Sequence, residues 1–258
     1  MIRLILLGVL SGAFFSSTFI LNEVMSVSGG HWLWSASLRY FFMILFLALI
    51  LFFQGGIQRL IDIYKLFLSN YVFWTISGTI GFGFFYALIC FSADFSPAWV
   101  IAATWQFTVV STLFVLMFFG KKFPKKIWAF SIIIFIGVCL VNLSHIDTFD
   151  IKALLLGGFP ILIASFCYPI GNQLVWEAKN GEHKNVPKIT SKLLNNAFNK
   201  VFLLSIGSLP LWFILLAIIQ PQAPSNSQVI NTALVALLSG VLATSIFLYA
   251  RNIAKDSN

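Results

Sequence analysis

Apolar residues in this chain come in eight blocks, at roughly 2–21, 32–53, 71–91, 98–119, 127–144, 153–174, 200–220 and 229–250. Crossing the hydrocarbon of a bilayer takes roughly 20 residues of helix, and the blocks have that length. No other feature constrains the fold so tightly. Lipid offers backbone groups no partner, so only helices or closed barrels can satisfy them internally. Barrel strands alternate apolar and polar residues over about ten positions, and the runs Phe41 to Phe53 and Ile132 to Val141 do not alternate. The reading is an all-α integral membrane protein of about eight transmembrane helices.

Between the blocks stand turn-formers, among them Ser28-Gly29-Gly30, Gln54-Gly55-Gly56, Ser96-Pro97 and Pro221-Gln222-Ala223-Pro224, together with the cations. Arg3 opens the chain, and loop 22–31 has no Lys or Arg. Loop 54–70 has Arg59 and Lys65, loop 92–97 none, and loop 120–126 has Lys121, Lys122, Lys125 and Lys126. Loop 145–152 has only Lys152, whereas 175–199 with the helix start after it has Lys179, Lys184, Lys188, Lys192 and Lys200. Loop 221–228 has none, and the tail has Arg251 and Lys255. Fourteen of the sixteen cations collect on one side, Lys152 stands alone on the other, and Arg39 lies within a span. Such alternation across nine segments is what the positive-inside rule requires of eight spans with both termini cytoplasmic.

The same pattern explains the net charge of +8 without nucleic acid, because the cations fix topology in a lipid bilayer. Charged residues make up only 9% of the chain, where a soluble domain uses about a quarter. Cys90, Cys139 and Cys167 all fall inside apolar blocks and read as small buried hydrophobes, with no disulfide framework or metal spacing. The first block has no small-residue cleavage site after it and reads as a retained helix. The basic stretch 179–202, with apolar Val186, Ile189, Leu193, Leu194, Phe198 and Val201, reads as a connector along anionic headgroups or a partner-binding helix.

An internal repeat is legible in the spacing. A shift of 150 lays Gly8 on Gly158, Ile20 on Ile170 and Asn22 on Asn172; a shift of 162 lays Ser77-Gly78 on Ser239-Gly240, Phe85 on Phe247 and Asp94 on Asp256. The first helix runs inside to outside and the sixth outside to inside, as an inverted five-helix repeat demands. The expected organisation is residues 1–148 as the first repeat and 149–258 as a second of three helices. On the 162 shift, helices four and five would recur at about 260–306, so the expectation is a shortened version of a ten-helix protein.

Helices one and two read Phe15-Ser16-Ser17-Thr18-Phe19-Ile20-Leu21-Asn22-Glu23 and Gly29-Gly30-His31-Trp32-Leu33-Trp34-Ser35-Ala36-Ser37-Leu38-Arg39-Tyr40. Helices three and four contain Phe85-Tyr86-Ala87-Leu88, Ser96-Pro97-Ala98 and Ala103-Thr104-Trp105-Gln106. This resembles the drug/metabolite transporter superfamily, in particular its branch of multidrug resistance efflux transporters. Leu38-Arg39-Tyr40 and Asn22-Glu23 are the most specific elements, and the likeness covers the whole chain. The resemblance implies two inverted halves around a central cavity and export of drugs or metabolites by alternating access. In the four-helix exporters of that superfamily a membrane-embedded glutamate binds both proton and drug, which makes Glu23 the candidate for ion coupling, although it stands at a helix end.

Arg39 sits about 10 Å into helix two at 1.5 Å per residue. A charge within a span marks a functional site by default. It would bind an anionic group, pair with Glu23 or Asp94, or snorkel to the interface beside Trp32 and Trp34. Polar and aromatic residues in spans line a cavity or bond neighbouring helices. Ser17, Tyr86, Trp105, Gln106, Tyr168 and Asn172 are therefore the cavity candidates, with Gln106, read as a buried amide, foremost. Pro169 and Pro210 would break or kink their helices, and Gly8 and Gly12 suit close packing within the protein or between protomers of a homo-oligomer. His31, His145 and His183 lie in loops, and no catalytic or phosphate-binding motif appears. The reading is a secondary transporter with small-molecule substrates or, as the alternative, a non-transporting, inactive shortened membrane protein with a structural or regulatory role; no metal, cofactor or enzymatic role is expected. Its Phe-, Ile-, Lys- and Asn-rich usage points to a bacterial cytoplasmic membrane.

Overall fold

The computed structural model describes residues 2–143, 154–181 and 183–256. His145, Lys152 and the proposed boundary between repeats lie outside them. Among the described residues the chain is helical throughout: α1 (Ile2–Val27), α2 (Trp32–Ser69), α3 (Tyr71–Ser92), α4 (Ala98–Phe118), α5 (Lys125–Leu143), α6 (Leu155–Asn180), α7 (Ala197–Ile219) and α8, which runs from Asn226 to Asp256. Seven of these are long and apolar enough to cross a membrane, and α5 adds a shorter apolar stretch, Lys126–Leu140. The sequence blocks and the helices correspond one to one.

Helix starts follow local chemistry. His31 Nδ1 accepts from the Leu33 amide at the start of α2, Asn196 Oδ1 from Phe198 at α7, and Ser225 Oγ from Gln228 at α8. Each meets an amide that the first turn leaves without an intrahelical partner. One expected loop is helical instead. Residues 54–70 continue α2 beyond a kink at Gly55 and Gly56, where Gly56 adopts φ 67°, ψ −170°, a conformation essentially reserved for glycine. The helix beyond is amphipathic, with Ile63 buried and Arg59 bonded to Asn199.

Helices α2 and α7 pack together at the centre. α3 lies against α7 and α6, while α8 lies against α2 and α1; α4 rests on α6 and α1, with α5 outside it against α4. Small residues permit the closest crossings. A Cβ on Gly207 would collide with the Trp74 carbonyl, and one on Gly171 with the backbone of Gly81. Gly8 and Gly12, by contrast, face open space, so their motif packs against no described part of this chain. Pro169 and Pro210 do not interrupt their helices. The irregularities are elsewhere: wide π-type turns at Thr79–Phe84 of α3, Leu154–Gly158 at the start of α6 and Ala236–Ala243 of α8, and a tightened turn at Gln106 and Phe107 of α4.

Loop contacts sort the two ends of the bundle by charge. At the cation-poor end Trp34 Nε1 donates to the Gln222 carbonyl (2.7 Å), Gln228 to the His31 carbonyl (2.9 Å) and Ser26 to Asp94 (2.6 Å). At the other end Arg3 reaches Tyr249 (3.1 Å), Asn196 reaches Gln54 (3.3 Å) and Lys121 pairs with Glu177 (3.6 Å). The basic stretch after α6 is not a free helix. Val186, Ile189 and Leu194 are buried in the core, and the Ile189 amide bonds the Ala178 carbonyl at 2.8 Å. Their irregular spacing suits a plug tucked beneath the helices rather than one face of an amphipathic helix.

Candidate functional site

The second turn of α2 carries Arg39 into the middle of the bundle, where it is only 2% exposed. It does not snorkel. Its guanidinium carbon stands 3.8 Å from the centre of the Tyr86 ring on α3 and 5.7 Å from that of Tyr40. Nη2 donates to Ser239 Oγ on α8 (3.2 Å), within the wide turn. Nε and Nη1 have no partner, and no carboxylate among the described residues pairs with the group. Burying a guanidinium so poorly satisfied is costly.

Two α1 residues complete this polar face. The Tyr86 hydroxyl donates to Asn22 Oδ1 (3.0 Å), which leaves Asn22 Nδ2 without a partner; Thr18 Oγ1, one turn earlier, is also buried and unmet. Aromatic rings continue from there toward α4 and α6. Phe85 lies 5.0 Å from both Trp105 and Tyr168, and those two rings are 6.0 Å apart. The Tyr168 hydroxyl and Asn172 Oδ1 are shut from solvent without partners, while Asn172 Nδ2 bonds the Tyr168 carbonyl at 3.0 Å.

The structure therefore brings together Arg39, Tyr86, Trp105, Tyr168 and Asn172, and leaves three candidates apart. Gln106 is exposed and bonds back to the Ala102 carbonyl (3.4 Å), so it is not a buried amide. The buried line of α4 runs through Ala98, Ile101 and Thr104, and a residue two places further falls on the opposite side of a helix. Ser17 is half-buried and bonds the Phe14 carbonyl of its own helix (2.7 Å). Glu23 is half-buried beside Asn22 and makes no ion pair with Arg39. Asp94, the other suggested partner, accepts from Ser26 instead. Partial burial raises its pKa, against the opposing effects of the Ser26 hydroxyl and the His31 charge.

A second charged cluster went unread in the sequence. Because α6 extends to Asn180, Glu177 stands on a helix and is 1% exposed. It accepts from Gln173 (2.6 Å) and pairs with Lys121, and Gln173 accepts from Arg251 of α8 (2.7 Å). Arg251 also reaches the Asn172 carbonyl (3.3 Å) and stacks 4.6 Å over Trp176. Cavities of about 430 and 390 Å³ open at this cation-rich end, and neither is lined by Arg39 or Tyr86.

Thr18 and Asn22 were missed as well. The buried positions of α1, Ser11, Thr18, Phe19, Asn22 and Met25, follow helical spacing, so the polar pair Thr18 and Asn22 at i and i+4 was available in the sequence to mark them.

Comparison with known proteins matches residues 2–258 to the EmrE family, described as "Putative multidrug resistance efflux transporter". The chain is 34% identical over 270 residues to "Uncharacterized protein YjlA" of Bacillus subtilis (strain 168), covering 99% of this chain and 79% of that one. It is 33% identical over 261 residues to "Uncharacterized 42.1 kDa protein in intracellular alkaline protease 3'region" of Shouchella clausii, covering 96% of this chain and 64% of that one. No solved structure matches. A family match along the whole described fold, with two bacterial relatives above 30% identity, establishes that this multi-pass membrane protein belongs to the multidrug resistance efflux transporter family.

Proposed function

We propose that the chain is a secondary carrier that exports small molecules from bacteria by alternating access, with both termini in the cytoplasm. The observation that carries this reading is the buried cluster of Thr18, Asn22, Arg39, Tyr86, Tyr168, Asn172 and Ser239, contributed by α1, α2, α3, α6 and α8. Polar groups held this deep in a membrane bundle mark substrate or ion pathways, and side chains from several helices let a rocking motion open the cluster to either face.

Packing supports two inverted halves. Helix α1 lies on α8 as α6 lies on α3, and α2 lies on α8 as α7 lies on α3, with the α2–α7 contact on the axis between them. The bonds at the two ends act as opposing gates: Trp34–Gln222 and Ser26–Asp94 at the outer end, Lys121–Glu177 and Arg251–Gln173 at the inner. A bilayer surrounds the bundle, and open Gly8 and Gly12 offer a contact for a second protomer.

The test is flux in proteoliposomes under imposed proton and sodium gradients, with anionic, neutral and cationic solutes offered in turn. Gradient-dependent movement of at least one is the expected result. If no solute moves under any gradient, the carrier reading is lost and a structural or regulatory membrane role takes its place.

A further inference from the structure

We infer that Arg39 is a recognition group for a small organic anion, a carboxylate borne on a flat apolar body, rather than for the cationic compounds a multidrug exporter would suggest. The inference rests on the carrier reading for its transport consequence but not for its binding consequence.

The charge balance points this way. A guanidinium presents five N–H donors, and here only Nη2 has a hydrogen-bond acceptor, the Ser239 hydroxyl. Nη2 carries two hydrogens and stands at both bidentate edges of the group, so either edge still has an unused nitrogen to grip a planar carboxylate. Beyond the guanidinium, the unmet atoms of the cluster are Asn22 Nδ2, a donor on the residue that accepts from Tyr86, the Thr18 and Tyr168 hydroxyls, which donate or accept, and Asn172 Oδ1, an acceptor. A buried cation with two donor nitrogens of its own unmet is complementary to an oxyanion. A cationic ligand would add like charge to Arg39 where little solvent screens it.

The rings supply the rest of the complementarity. Tyr86 covers one face of the guanidinium at 3.8 Å, which keeps the group oriented without using its N–H bonds. Phe85, Trp105 and Tyr168 stand beyond it at mutual distances of 5.0 to 6.0 Å, a surface for a flat apolar body. Ser239 sits in the wide turn Ala236–Ala243 of α8, and such turns inside helices recur at functional sites. Movement of α8 would thus draw Ser239 from Nη2 as the ligand arrives.

The test uses the full chain in lipid nanodiscs with benzoate, benzamide and benzylammonium, which share a ring and differ in charge. Binding is followed by tryptophan fluorescence, and flux of the same compounds is followed in proteoliposomes. Benzoate should bind at least about tenfold more tightly than either analogue, the scale of one charge-assisted pair. Arg39→Gln should erase the preference, and Arg39→Lys should keep its sign while weakening it, because an ammonium lacks the planar fork. Equal affinities, a preference for benzylammonium, no binding of benzoate, or a benzoate preference that survives in folded Arg39→Gln each overturn the inference. The ranking on the unaltered chain decides alone if the variant does not fold. Charge-selective binding without flux would sink the carrier reading and leave this one standing. Gradient-driven flux of a cation without charge-selective binding would do the reverse.

Discussion

Two arginines lie within this bundle, and the protein treats them differently. Arg251, toward the cation-rich end, has its two terminal nitrogens on the Asn172 carbonyl and Gln173 Oε1 and its face on Trp176; Gln173 in turn leads to Glu177 and Lys121. Arg39, on the far side of the aromatic cluster, has one hydroxyl, the face of Tyr86 and a more distant contact with Tyr40, and leaves two nitrogens unmet. Both carry the same charge on the same kind of helix. A satisfied charge holds elements together, whereas an unsatisfied one costs stability in the resting state and awaits a partner. One arginine is a fastener, and the other is a receptor.

The largest expected effect breaks that contrast if it fails. Arg39→Met should lower transport, and the affinity for a carboxylate probe, by at least about tenfold. In the same variant, thermal unfolding in detergent should show stability unchanged or higher by up to about 2 kcal/mol, because a poorly paired buried charge has been removed. A loss of stability equal to the loss of function would make Arg39 a fastener too.

Arg251→Leu should act in the opposite sense. It deletes two charge-assisted hydrogen bonds and leaves Gln173 Oε1 facing an apolar side chain, at a cost of roughly 2–3 kcal/mol. Ligand affinity measured at low temperature, where the variant stays folded, should change little. Unfolding midpoints and binding curves on one preparation check both halves of the prediction.

The sequence made the frame of this comparison legible and hid half of it. Segregated cations and bilayer-length blocks gave the helices and the two ends, because a missed span would have put cationic loops on both. Arg39 was legible because a charge within a span is rare. Arg251 was not, because the last apolar block stops at 250 and the helix runs on to Asp256. Glu177 was hidden for the same reason: Trp176-Glu177 ends the apolar run, yet α6 continues through it. Hydropathy registers where lipid ends, not where a helix ends. Gln106 misled in the other direction. A polar residue within a span was read as inward-facing, but the direction of a side chain depends on helix phase, and the tightened turn at 106–107 shows nothing in composition.

A smaller effect separates the ring of Tyr86 from its hydroxyl. Tyr86→Phe keeps the face that covers Arg39 and removes the bond to Asn22 Oδ1, costing about 1 kcal/mol of stability. Carboxylate affinity should stay within a few fold of the parent, whereas Tyr86→Ala should lower it further by releasing the guanidinium. Equal losses in the two variants would assign orientation of Arg39 to the hydroxyl network rather than to the ring.

The smallest effect tests whether Asp94 is a partner of Arg39. Asp94 is the acid at the cation-poor end whose state answers this. Partial burial moves its pKa above the ordinary carboxylate value of about 3.9, while the Ser26 hydroxyl and the His31 charge pull against that shift. For an acid raised on folding, the protonated form is the favoured one in the native state. Its contribution is complete below the unfolded pKa and is lost as pH rises through the higher native value. Subtracting the unfolding profile of Asp94→Asn from that of the parent removes the other titrating groups. The difference should therefore favour the parent at low pH and fade as pH climbs out of the carboxylate range. An acid that formed an ion pair with Arg39 would have its pKa depressed, and its contribution would vanish as pH falls. The sign of the difference curve thus decides whether Asp94 serves the guanidinium or the Ser26 hydroxyl, with or without knowledge of what Arg39 binds.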